Sequence, residues 1–185
     1  MVFLEAFAAI TGLISVYLVT KQNIWCWPIG LVSVAVAAFV FFDSLLYSDM
    51  ILHVYFFGMN VYGWIHWSKK PVVGEVLPIT TMSMGQNILW VVATAGGTML
   101  WGYTMSANTD ASFPYGDAFT TVASLIAQWF MAQKRLENWI YWFIIDVVAI
   151  SIYAMKGLYL FSGQYLIFLL LCVVGFRDWK KGLPS

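Results

Sequence analysis

Seven long apolar runs alternate with short polar gaps along the chain: Phe3 to Thr20, Trp25 to Phe42, Tyr47 to Trp67, Ile88 to Met105, Pro114 to Ala132, Trp139 to Met155 and Leu158 to Trp179. Each approaches the roughly 20 residues that carry a helix across a bilayer, where backbone N–H and C=O groups must be satisfied within their own segment. The pattern predicts an all-α integral membrane protein of seven transmembrane helices. The gaps hold nearly all the charge and leave no room for a soluble domain. The longest, from Ser68 to Gln86, carries Pro71, Gly74 and Pro78 and reads as a loop.

Composition points the same way, with 62% hydrophobic and 10% charged residues and a mean hydropathy of +0.80. Near the N-terminus only Glu5 is charged, with no positive n-region and no small-residue cleavage site, so the first run is expected to be a retained helix and not a signal peptide. Cys26 and Cys172 lie in or beside apolar runs and read as small packing residues rather than a disulfide or a metal pair. A net charge of zero without a basic cluster argues against nucleic acid as a partner.

Charge distribution orients the chain. If the helices alternate, one side holds Lys21, Lys69, Lys70, Lys134, Arg135, Arg177, Lys180 and Lys181, and the other holds Lys156 with Glu5, Asp43, Asp49, Asp110 and Asp117. The positive-inside rule then puts the N-terminus outside and the C-terminus in the cytoplasm.

One gapless register, a shift of 112 residues, returns along the chain and relates Trp27 to Trp139, Tyr47 to Tyr159, Gly63 to Gly175 and Trp67 to Trp179. In it "GLISVYL" from Gly12 lies over "SLIAQWF" from Ser124. Two three-helix units are implied, residues 1–70 and 114–182, with a linking helix over 84–106 inside a single transmembrane domain of residues 1–185. Three is odd, so one intervening helix restores a parallel orientation, giving a 3+1+3 architecture. Parallel repeats of this kind recur in transporters, with the substrate between them near mid-membrane. Chance similarity among aromatic-rich helices is the competing reading.

Polar residues at bilayer depth are costly and face a cavity or a partner helix. Asp49, His53, Asn60, Trp64 and Trp67 recur at helical spacing on the third helix, and Thr121, Ser124 and Gln128 on the fifth. The sixth presents Asn138, Trp139, Trp142, Asp146 and Tyr153, and the seventh Gln164 near its outer end. Each has a structural explanation too. Thr121 and Ser124 suit hydrogen bonds between helices, His53 can bond Asp49 one turn away, and Trp64 and Trp67 suit an interfacial aromatic belt. Asp146 is different, since its own helix offers no cation. Aromatic rings flanked by amides and a carboxylate suit a flat, partly polar heteroaromatic ligand of vitamin size, although a sugar site can look similar.

The runs "NIWCWPIG" from Asn23, "LYSDMILHVYFFGMNVYGWIHW" from Leu46 and "LENWIYWFIIDVV" from Leu136, followed by "KGLYL" from Lys156, resemble the PnuC family of bacterial vitamin transporters over nearly the whole chain. The resemblance implies a 3+1+3 core like that of the sugar-transporting SWEET proteins, a homotrimer in the bacterial inner membrane, and facilitated diffusion of nicotinamide riboside, an NAD precursor trapped by a cytosolic kinase. The family's N-W-x-x-W motif falls on Asn138, Trp139 and Trp142, which thereby acquire a substrate-binding role. Asp146 stands where an amide is common among nicotinamide riboside carriers, which keeps thiamine or riboflavin, and proton coupling, as alternatives. The full set of expected binding residues is Asn138, Trp139, Trp142, Asp146, Gln128, Thr121, Asn60, His53 and Gln164.

An enzyme is not expected. The chain has no His-Glu-x-x-His, Gly-x-Ser-x-Gly or Walker A sequence, and its two histidines, His53 and His66, lack ligand spacing. No cofactor and no metal are expected.

Overall fold

The computed structural model describes residues 2–43, 47–69 and 77–183, with backbone alone for Val2, Tyr47, Ser48 and Asp49. Lys70, Pro71, Gly74 and the side chain of Asp49 therefore lie outside the described residues. Seven helices follow one another: α1 (Val2–Thr20), α2 (Cys26–Asp43), α3 (Tyr47–Ser68), α4 (Met84–Asn108), α5 (Pro114–Ala132), α6 (Asn138–Met155) and α7 (Tyr159–Lys181). By length and composition α1, α2, α6 and α7 can each cross a membrane. The other three have comparable length but carry more of the polar positions. Among the described residues the sole strand-like pairing is an isolated parallel bridge between Thr80 and Arg135.

Helix limits follow the apolar runs closely, with α4 the main exception because it extends beyond its run at both ends. Ser83 caps its start: the hydroxyl accepts from Gln86 N–H while the Gln86 amide oxygen accepts from Ser83 N–H, so the first turn is satisfied by residues outside the apolar stretch.

Neighbouring helices pack in sequence, α1 on α2 on α3 and α4 on α5 on α6 on α7, and two further contacts join the halves: α3 against α5 and α1 against α7. Lys21, Lys134 and Lys180 mark one end of the bundle, the basic end. Its core is a group of tryptophans. The Trp27 and Trp67 rings meet edge to face at 5.1 Å, Trp139 and Trp179 do the same at 5.5 Å, and Trp67 lies 5.9 Å from Trp179. Each of the first two pairs depends on a glycine. The Trp27 ring fills the space a Cβ on Gly63 would take, and the Trp139 ring does so at Gly175. Trp67 Nε1–H donates to Ala132 O at 3.0 Å and Trp179 Nε1–H to Val19 O at 2.9 Å, so each indole reaches the end of a helix in the other half.

Two sequence expectations change here. Trp67 belongs to this buried core and not to an interfacial belt, while Trp64 is 42% exposed and leaves the inward stripe, which runs through Asn60, Gly63 and Trp67. The long loop after α3 is also more than a connector. Its residues 77–83 pack on the α5–α6 turn, and Ile79 is buried in the tryptophan core.

Candidate functional site

Six of the nine expected binding residues occupy three levels near the basic end, and helix rise fixes the spacing between them. Asn138 and Trp139 begin α6 at the basic end. Trp142 and Gln128 lie about 6 Å further in, one turn from the basic ends of α6 and α5. Asp146 and Asn60 sit at about 12 Å, together with Cys172 on α7. Thr121, His53 and Gln164 are each roughly 10–12 Å further along their helices, towards the opposite end.

At the first level Asn138 is fully buried. Its amide N–H donates to Arg135 O at 2.6 Å, closing the turn into α6, but its carbonyl oxygen has no hydrogen-bond partner among the described residues. The neighbouring Trp139 is 2% exposed, and its indole N–H also lacks a partner among the described residues. A buried acceptor and a buried donor on consecutive residues thus lack partners among the described residues. Such groups are costly unless something completes them.

Trp142 links two packed groups of side chains. It packs against the group formed by Ala123, Ala127 and Ile145 between α5 and α6 and also against the tryptophan core. It is half-buried, unlike Trp139. Across from it on α5, Gln128 is 5% exposed and Ser124 is buried as well. Tyr55 Oη–H donates to Leu125 O at 2.9 Å and holds α3 against this stretch of α5.

At the deeper level Asp146 is 2% exposed, and its Oδ2 accepts from the Cys172 thiol at 3.4 Å. Asn60 donates to its own helix at Phe56 O, 2.7 Å away, and its carbonyl oxygen occupies the space that a side chain on Gly30 would need. The thiol of Cys172 makes this polar contact, where its place in an apolar run predicts packing alone. The one signal available was its place in the 112-residue register, where it corresponds to Asn60.

The remaining three are more remote. Thr121 Oγ1–H donates to Asp117 O at 2.8 Å within its own helix. His53 stands 4.8 Å from the Phe41 ring, and Gln164 is half-buried on α7. Among the described residues no group of three His, Cys, Asp or Glu is placed to hold a metal ion. The arrangement can bind a flat ligand by ring contact and amide hydrogen bonds beside a buried carboxyl group.

Comparison with known proteins gives a consistent answer. The sequence matches the nicotinamide mononucleotide transporter family over residues 2–181. It is 28% identical to the nicotinamide riboside transporter PnuC of Escherichia coli (strain K12) over 202 residues, covering 96% of this chain and 84% of that one. It is 29% identical to the riboflavin/roseoflavin transporter RibM of Streptomyces davaonensis over 175 residues, covering 92% and 81%. A crystal structure of the vitamin B3 transporter PnuC superimposes with a TM-score of 0.79 at 26% identity, covering 97% of this chain and 81% of that one. These relatives are transporters, in keeping with a multi-pass membrane protein that is not an enzyme. The chain belongs to the nicotinamide mononucleotide transporter family, that of the PnuC proteins.

Proposed function

We propose that the protein takes up nicotinamide riboside by facilitated diffusion, with accumulation driven by phosphorylation in the cytosol. The observation that carries this reading is a pair of buried polar atoms without partners among the described residues, Asn138 Oδ1 and Trp139 Nε1, one turn from Trp142 and two turns from Asp146. A nicotinamide ring can stack on Trp142 while its carboxamide meets a donor and an acceptor on adjacent residues. The carboxyl group of Asp146 complements a cationic pyridinium and opposes a phosphate, which favours the riboside over the mononucleotide.

The architecture in this reading is 3+1+3, with parallel repeats related by the 112-residue register. Several pairs at that spacing support it. Gln22 and Lys134 share a positive φ of 52°, Trp27 and Trp139 both cover a glycine, and Trp67 and Trp179 both donate to the other half. The substrate lies between the repeats, with Gln128, Asn60, Thr121, His53 and Gln164 lining its path. The basic end faces the cytoplasm, and three protomers assemble in the inner membrane. A riboflavin carrier is the second reading, favoured by the similarity to RibM.

The deciding experiment is binding by purified protein of nicotinamide riboside, thiamine and riboflavin side by side. Saturable binding of nicotinamide riboside alone supports the assignment, and preference for either other vitamin replaces it.

A further inference from the structure

Two turns close the basic end, residues 21–25 between α1 and α2 and residues 133–137 between α5 and α6. They are tied together by one side-chain bond, from Lys134 Nζ–H to Gln22 Oε1 at 3.1 Å. The same ammonium donates to Leu77 O at 3.0 Å and lies 4.5 Å from the Trp67 ring centroid. Residues 77–83 cross over it. Thr80 N–H donates to Lys134 O, Leu136 N–H to Thr80 O, and Met82 N–H to the Glu137 carboxylate.

Lys134 is 1% exposed, and its ammonium has no carboxylate partner among the described residues. Enclosing a charge costs free energy unless hydrogen bonds and ring contacts replace water, and here these groups come from the first half of the molecule and from the crossing segment, whereas Lys134 itself belongs to the second half. The arrangement is therefore satisfied only while this end stays shut. The acceptor matters as well. A carboxylate at position 22 would hold the ammonium much more firmly, whereas a neutral amide gives a bond that breaks more readily.

Resting on the transporter reading above, we propose that Lys134 and Gln22 form a latch between the two halves, which must part before substrate leaves through the basic end. Lys134 is then a positioning residue of transport, acting through Gln22 and residues 77–83. Material held near Trp142 has to pass between the two turns to reach that end, and the latch sets how often they separate.

Two substitutions at Gln22 test this in opposite directions without removing the buried ammonium. Gln22→Glu tightens the latch and Gln22→Leu removes the acceptor. In proteoliposomes exchanging radiolabelled nicotinamide riboside, Gln22→Glu lowers the exchange rate about tenfold, the difference between a neutral and a charge-assisted bond. Gln22→Leu raises the rate, and in both variants the Kd of purified protein for nicotinamide riboside stays within about twofold of wild type, because the latch does not touch the ligand. Amide hydrogen exchange at Thr80 and Leu136 slows in Gln22→Glu and speeds up in Gln22→Leu. Equal transport rates in all three proteins, or slowing in both variants in step with lost thermal stability, would overturn the latch in favour of a fixed brace. If wild-type protein neither binds nor moves nicotinamide riboside, the vitamin assignment fails alone. Hydrogen exchange at Thr80 and Leu136 then judges the latch: opposite shifts in the two variants support it, and unchanged exchange overturns it.

Discussion

The thiol of Cys172 donates to the carboxylate of Asp146 across 3.4 Å, joining α7 to α6 where both side chains are buried. Cys172→Ala leaves that carboxyl group without the donor and should cost about 1–3 kcal/mol of stability, the usual penalty for a stranded buried acceptor. Cys172→Ser supplies a better donor of similar size and should retain most of it. Thermal unfolding of both variants in detergent separates a hydrogen-bonding role from mere filling of space, which predicts equal losses.

Trp139 and Trp142 share a motif but not an environment. Trp142→Ala should weaken nicotinamide riboside binding by roughly one to two orders of magnitude while the protein stays folded, since ring stacking is worth about 1–3 kcal/mol. Trp139→Ala empties a packed site between Trp179 and Gly175, with an expected loss of about 3–5 kcal/mol. Calorimetric binding together with a melting curve distinguishes the two, and unchanged affinity in folded Trp142→Ala would remove that residue from the site.

Gly63 and Gly175 each lie under a tryptophan ring. A methyl group at either position forces Trp27 or Trp139 aside, and Gly63→Ala and Gly175→Ala should each cost about 1–3 kcal/mol by overpacking. Gly58→Ala is the control, because a Cβ there meets nothing within 4 Å. Comparable melting temperatures for all three would refute the close approach.

Burial pushes the Lys134 ammonium down from 10.5 to about 8. Below about pH 8 the lysine is charged in both folded and unfolded chains. From there to about pH 10 the unfolded chain holds a proton that the folded one has released, so this group makes stability rise with pH across that window. Lys134→Met should flatten the rise, measured as melting temperature against pH for the two proteins. A parallel pair of curves contradicts it.

In the passive transport proposed above, Asp146 acts as a ligand-positioning group and not as a coupling acid. Asp146→Asn should therefore keep equilibration of nicotinamide riboside across proteoliposomes, with altered affinity. Wild-type vesicles without a kinase should reach equal concentrations inside and outside whatever the pH or sodium gradient. Accumulation of unmodified vitamin under a pH gradient, lost in Asp146→Asn, would establish proton coupling instead.

The seven helices were legible because lipid imposes one rule, long apolar runs, and the termini of α5 and α6 agree with theirs to within a residue. The N-W-x-x-W motif and the 112-residue register were equally readable as linear patterns. Depth and direction were not. Helical spacing placed Trp64 and Trp67 on one stripe, yet they are three residues apart and only Trp67 turns inward, because Trp27 and Trp179 offer it rings and Ala132 a carbonyl. Lys134 counted as one more positive charge in a cytoplasmic loop. Only the folded chain brings Gln22, Leu77 and Trp67, which lie 112, 57 and 67 residues away, to the one place where its charge can be enclosed. The sequence by itself determined which segments form the seven helices, since long apolar runs depend on the composition of each segment alone. Tertiary structure decided which polar groups are buried and what they meet, since that depends on partners distant in the chain.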